Sequence, residues 1–222
     1  MIRKTVWLAS IVTLATATAW AQEPRVEVSA TAGWTFSDGV SGEAFRAPDG
    51  NLYDRIDPKD SFSWGAQIGF LVSENVEVGF LFNQQQSKLV LGGQATREIG
   101  DQSIYNYHGY VAYNFGYGDS TVRPYLMGGL GATQYASFGF TGADGEQREI
   151  DGSTRFSTTW GAGVKVFPSP SFGIRAGVRW TPTYIKSDAA GWWCDPYWGC
   201  WVVGDAQYSN QWELAGGVTL RF

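Results

Sequence analysis

Apolar residues recur at every second position in eight stretches of this chain, and no long segment carries the 3.6-residue apolar period of a helix. The stretches are VEVSATAGWTF (26–36), FSWGAQIGFLV (62–72), VEVGFLF (76–82), YNYHGYVAYNF (105–115), PYLMGGLGATQY (124–135), FSTTWGAGVKV (156–166), FGIRAGVRW (172–180) and WELAGGVTLRF (212–222). Side chains on a strand alternate between its two faces, so each stretch predicts a strand with one apolar face. In the fifth, the alternation is weakened by Gly128, Gly129 and Gly131. There the phase is read with Tyr125, Met127, Thr133 and Tyr135 on the apolar face.

The connections alternate in length. Strands two and three, four and five, and six and seven are joined by the short segments SEN, GYGDSTV and PSPS. The other connections, at about 37–61, 84–102, 137–155 and 182–211, are long. Eight antiparallel strands with short turns on one side and long loops on the other predict an outer-membrane barrel, its short turns periplasmic and its four long loops extracellular. Structureless loops of this length count against a compact soluble domain.

A soluble lipocalin-like barrel also has eight alternating strands, with its apolar face inside. Charge and aromatic placement separate the two. The apolar faces carry no Asp, Glu, Lys or Arg, whereas the polar faces carry Glu27, Glu77, Lys165, Arg175, Arg179, Glu213 and Arg221. Trp34, Phe36, Trp64, Tyr105, Tyr107, Tyr135, Phe156, Trp180 and Trp212 fall at the long-loop ends of the apolar faces. Tyr113, Phe115, Tyr125, Phe172 and Phe222 fall at the short-turn ends. Two aromatic girdles around a band of Val, Ala and Gly match a bilayer with two interfaces. The expected fold is therefore all-β: a closed, eight-stranded, antiparallel, up-and-down transmembrane β-barrel over residues 22–222.

Residues 1–21 read as a signal peptide. Arg3 and Lys4 form a positive start, an apolar run follows, and Ala19-Trp20-Ala21 is a small-x-small cleavage site. The apolar run is shorter than the ~20 residues of a spanning helix. Removing it leaves 14 of the 16 basic residues against 21 acidic ones, a net charge of −7, which argues against nucleic acid as a partner. The remaining composition, with 29 Gly and 16% aromatic residues, suits strands rather than helices.

The chain resembles the small eight-stranded outer-membrane barrels of Gram-negative bacteria, the OmpA-like and OmpX-like membrane domains and the porin-family barrels. RPYLMGGLGATQY resembles their fifth strand, GIRAGVRW a late strand, and GGVTLRF their Phe-terminated assembly signal. The resemblance implies export through the periplasm to the outer membrane and insertion by the barrel-assembly machinery. It also implies that Trp212, Leu220 and Phe222 act as the assembly signal. Lipid and lipopolysaccharide are the expected surroundings, with a monomer as the expected state. No peptidoglycan-binding tether is expected after Phe222.

Little in the sequence points to catalysis. His108, the only histidine, lies on the polar face of the fourth strand. Lipid A deacylases on a similar barrel pair a His with a nearby Ser, but NYHGYVAY has no Ser two residues on. One His and two Cys do not make a metal site of usual ligand count, and no cofactor motif is present. Cys194 and Cys200 in GWWCDPYWGCWVVG are expected to form a disulfide in an exported chain. Trp192, Trp193, Tyr197, Trp198 and Trp201 around them either pack on the rim or form a contact surface for an extracellular ligand.

The expected function is structural or surface-interacting and non-enzymatic, with a side-chain-plugged lumen. A narrow channel is the alternative, because many inward glycines leave room. Within the lumen, the closing strands should bring Glu27 to Arg221 near the periplasmic mouth. Arg175 should join them, with Glu77 and Lys165 at similar depth.

Overall fold

The computed structural model describes residues 26–46, 50–116, 120–141, 147–185, 194–195, 199–200 and 207–222. The signal-peptide reading and the loop aromatics Trp192, Trp193, Tyr197, Trp198 and Trp201 lie outside these residues. Eight strands form the barrel: β1 (Val26–Ser37), β4 (Ser61–Leu71), β5 (Val76–Gly93), β6 (Arg97–Asn114), β7 (Val122–Tyr135), β10 (Ser153–Ser169), β11 (Phe172–Ile185) and β14 (Gln207–Arg221). Each pairs antiparallel with the next. β1 closes on β14 from Glu27↔Arg221 to Ser37↔Gln211. Two further bonds between Val26 and Phe222, at 3.1 and 2.9 Å, finish the seam. A closed ladder leaves no unpaired edge, which a strand in hydrocarbon requires.

Between the two girdles the outward face is apolar. Trp64, Phe82 and Tyr107 form one part of the upper girdle, with ring centroids 5.5 and 5.4 Å apart. Trp180 stacks on Trp212 at 5.7 Å, and Tyr113 meets Phe115 at 5.0 Å in the lower girdle.

One strand has the opposite phase to that expected. On β7, Leu126 and Leu130 are 53% and 63% exposed, whereas Tyr125 and Met127 are 6% and 7% exposed, and Thr133 and Tyr135 are also buried. Tyr125 and Tyr135 are therefore not girdle residues. The three glycines carry no side-chain signal in either phase. The tyrosines face inward because polar partners and vacated space await them there.

The long connections contain more strand than expected. β5 and β6 run on as a paired ribbon, so most of 84–102 is strand rather than loop. The first connection holds a hairpin of β2 (Val40–Arg46) and β3 (Leu52–Pro58), and β3 pairs with β5 from Leu89 to Gly93, above the part of β5 that pairs with β4. The third holds a hairpin of β8 (Phe138–Thr141) and β9 (Gln147–Ile150). In the fourth, β12 (Cys194–Asp195) pairs with β13 (Gly199–Cys200), with Cys194 directly opposite Cys200.

These additions share an apolar core of their own. Tyr53 and Ile56 of β3, Leu89 and Leu91 of β5, Ile104 of β6, Tyr135 of β7, Phe138 of β8 and Ile185 of β11 form one buried cluster. It caps the long-loop end of the lumen.

Candidate functional site: the barrel lumen

Inward-facing polar residues of the eight strands meet in layers along the barrel axis. In the layer nearest the short turns, Lys165 on β10 donates to Glu27 on β1 at 2.6 Å and to Glu77 on β5 at 2.5 Å. These strands are not neighbours, so the ammonium bridges the lumen. Arg221 on β14 donates from Nε to Glu27 at 2.9 Å, as the closing register dictates, and its guanidinium lies over the Phe167 ring at 3.4 Å. Tyr110 on β6 donates to Glu77 at 2.6 Å. All of these side chains are buried. Buried charge is tolerated only when paired and hydrogen-bonded, and each carboxylate here has at least two donors.

Arg175 enters this layer differently from expectation. It donates to Gln67 at 2.6 Å, to Ser29 at 3.3 Å and to the Tyr125 hydroxyl at 2.9 Å, with its guanidinium 5.0 Å from the Tyr125 ring centre. It forms no ion pair with Glu27 or Glu77 because Lys165 and Arg221 already occupy their oxygens. Register makes it the direct neighbour of Lys165. An amide, a hydroxyl and a phenol serve it without adding charge.

The next layer holds a second ion pair. Arg179 meets Glu213 at 2.5 Å on adjacent strands, and Ser63 and Asn83 each donate to the other Glu213 oxygen at 2.7 Å. Above it lies a network of uncharged polar side chains. Gln85, Gln211, Asn106, Thr133, Ser157 and Thr183 form a chain of hydrogen bonds of 2.7–3.0 Å. His108 Nε2 lies 2.9 Å from Ser157 Oγ, and both residues are fully buried. The serine comes from β10, so no local motif announces it. His108 Nδ1 has no hydrogen-bond partner, and a catalytic His needs that nitrogen oriented.

The inward glycines are not empty space. A Cβ at Gly163 or Gly177 would meet the Tyr125 hydroxyl at 2.7 Å, and one at Gly79 would meet the Tyr110 ring at 2.7 Å. One at Gly173 would meet the Phe167 ring at 2.6 Å, and the Glu77 side chain fills the place beside Gly69. Small residues on one strand admit large ones from another, as in a taper-filled barrel. Between the two charged layers lies a cavity of about 20 Å³ lined by Thr31, Gln67, Arg175, Arg179 and Glu213, among others. That is room for one water.

Glu27, Glu77, Lys165, Arg175, Arg179, Glu213 and Arg221 are all buried inside the barrel. Tyr110, Tyr125 and Arg123 were missed. Tyr110 shares the parity of Asn106 and His108, which is a usable signal. Arg123 follows from its charge: the phase that turns Tyr125 outward would also turn Arg123 toward lipid. In the structure Arg123 is buried inside and donates to the Glu74 carbonyl. Trp212, Leu220 and Phe222 lie exposed on the outer wall. Among the described residues no group of His, Cys, Asp and Glu is arranged to hold a metal.

Known structures with this architecture include the outer membrane protein OprG from Pseudomonas aeruginosa, at 12% identity and a TM-score of 0.59, covering 90% of this chain and 97% of that one. Neisserial surface protein A has 16% identity and a TM-score of 0.51, covering 89% and 97%. The outer membrane protein AlkL has 14% identity and a TM-score of 0.51, covering 91% and 92%. At these identities the likeness concerns the fold. No curated protein matches the chain. A family model described as "Outer membrane protein beta-barrel domain" matches residues 7–222. With a closed barrel, lipid-facing girdles and a polar lumen, the chain belongs to that family of outer-membrane β-barrels.

Proposed function

We propose that this barrel is a non-enzymatic structural or surface-interaction protein whose lumen is plugged by its own side chains. The observation that carries the reading is Lys165 reaching across the lumen to both Glu27 and Glu77. A bridged charge layer below, an apolar cap above and tyrosines in the glycine-made space support a filled lumen. The sealed His108–Ser157 contact and the lack of an orienting partner for Nδ1 support a protein without catalytic activity. Planar-bilayer recording of the purified protein tests the plug. No stepwise conductance is expected, and reproducible single-channel steps in the wild type would establish the narrow-channel alternative instead.

The loops supply the working surface in this proposal, with lipopolysaccharide or an extracellular ligand as partner and a monomer as the working unit. Export through the periplasm and the insertion signal at Trp212, Leu220 and Phe222 belong to it as well. The exposed outward position of Phe222 beside the β1–β14 seam supports the assembly role. Cys194 and Cys200, opposed in a two-stranded ribbon, are proposed to form a disulfide that fixes the fourth loop. Directly opposed antiparallel residues have Cα atoms about 4.5–5.5 Å apart, within the range a disulfide spans. Free thiols at both positions in non-reduced protein would refute it.

A further inference from the structure

On its lipid-facing wall the barrel carries a groove of about 550 Å³ that the plugged-lumen reading does not use. Two registered rows of side chains bound it. One runs Val111, Gly128, Trp160, Trp180 and Trp212 across five consecutive strands. The other runs Tyr113, Leu126, Ala162 and Val178 one step nearer the periplasm. The depression arises where the side chains are small. Gly128 and Ala162 stand between large neighbours, and Gly161 beneath them lets the lumen residue Met127 form part of the floor.

The aromatic walls are held in place. The Trp160 ring lies against Gly128, where an added Cβ would meet it at 3.0 Å. Its Nε1 donates to Thr158 at 3.2 Å, and Trp180 Nε1 donates to Asn210 at 3.0 Å. Trp180 and Trp212 are stacked. Indole N–H groups satisfied on the barrel leave the ring faces as apolar surface. The upper end of the groove opens at the extracellular girdle, and it is continuous with the band that the bilayer covers.

We propose that this groove is a binding site for one acyl chain of an outer-leaflet lipid, held more tightly than the surrounding lipid. Charged or hydrogen-bonding ligands are a poor match, because the lining is almost wholly apolar. The chain would enter beside Trp180 and Trp212 and lie obliquely over Ala162 toward Leu126 and Tyr113. The inference stands whether or not the lumen conducts, so the conductance result does not decide it.

The test uses the full folded barrel in phosphatidylcholine vesicles whose acyl chains carry bromine at mid-chain, that phospholipid alone being the probe. After extraction into detergent, native mass spectrometry should find one phospholipid retained per wild-type barrel. Ala162→Phe, which fills the groove, should lower retention at least tenfold. Ala66→Phe on β4, diametrically opposite, should leave it unchanged. Retention unaltered by Ala162→Phe, or none in the wild type, overturns the proposal. If Ala162→Phe does not fold, difference fluorescence decides. The contribution removed by Trp160→Phe should be quenched at a several-fold lower fraction of brominated lipid than that removed by Trp64→Phe. Equal quenching of the two would overturn it.

Discussion

In the proposed plug, Lys165 between Glu27 and Glu77 closes the short-turn end of the lumen, and Leu89, Ile104, Tyr135 and Ile185 close the long-loop end. The two closures answer to different surroundings. Inside the bilayer the outer face of each strand meets hydrocarbon, so apolar residues face out and polar residues face in. Above the girdle the β5–β6 ribbon meets water on its outer face. There Lys88, Glu98 and Asp101 belong to the solvated side, while Leu89, Leu91 and Ile104 turn inward. The pattern inverts along the same two strands, below the register shift at Leu89/Val90. The lower closure depends on which charge faces which. The upper depends on volume.

Removing one charge from the lower closure is expected to give the largest effect. Lys165→Met would leave Glu27 with Arg221 alone and Glu77 with no cation. A buried carboxylate stripped of its partner costs roughly 3–5 kcal/mol. Urea unfolding in lipid vesicles measures it. A loss below about 1 kcal/mol would mean that water already solvates this layer.

The upper closure should respond to size rather than to charge. Leu89→Ala deletes a fully buried side chain, and such truncations cost about 2–5 kcal/mol in a core that cannot collapse. The apolar cluster lies outside the bilayer, so the loss should show as earlier opening of β3 and the ribbon, with the lower barrel unchanged. Leu89→Met, which keeps the volume, should be nearly neutral. Hydrogen exchange resolved by segment distinguishes local opening from global unfolding. A uniform loss of protection in all eight strands would contradict the separation of the two regions.

Much of this was legible in the sequence, and the gaps have physical causes. Seven strands were readable in phase because charge never falls on a lipid-facing position. β7 was misread because Gly128, Gly129 and Gly131 silence the alternation, although Arg123 carried the missing information. The Glu27–Arg221 pairing followed from barrel closure alone. The partners of Arg175 did not, because they depend on which cations reach the carboxylates first, a question of side-chain length across the lumen. The core at the long-loop end was hidden by the inversion itself. Leu89, Val90 and Leu91 look like stray apolar residues in a polar loop when a lipid-facing parity is assumed. The His108–Ser157 contact joins strands 49 positions apart and leaves no local mark.

A double-mutant cycle on Glu27→Gln and Arg221→Gln sharpens the lower half of the comparison. Their direct pairing across the seam predicts a coupling of about 1–3 kcal/mol, typical of residues in one ionic network. An equivalent cycle on Leu89→Ala and Ile185→Ala should give a smaller coupling, since each apolar partner also packs on others. Equal couplings would mean that the two closures do not differ in specificity.

The smallest effect concerns the solvated face of the ribbon. Lys88 Nζ meets Glu98 at 2.5 Å, with Lys59 at 3.8 Å from the same carboxylate, and all three side chains are about half exposed. The hydrogen bond from Lys88 lowers the Glu98 carboxyl below its ordinary 4.5, and the same bond raises Lys88 above its ordinary 10.5. A depressed carboxyl contributes stability at pH values above its unfolded value and loses it as pH falls through the folded one. A raised amine contributes below its unfolded value and loses it as pH rises through the folded one. The pair is therefore complete across neutral pH, and acid should release it only below about pH 4.5. Exposed pairs contribute little, so the release should appear as a modest drop in hydrogen-exchange protection at the Leu89 and Val90 amides, with lumen strands unaffected. Glu98→Gln should abolish the acid dependence at those amides. If protection there falls with acid just as much in Glu98→Gln, the titrating group is elsewhere. Asp57, which Val90 faces in the β3–β5 register, would not explain such a fall, since burial raises its carboxyl and acid then favours the folded state.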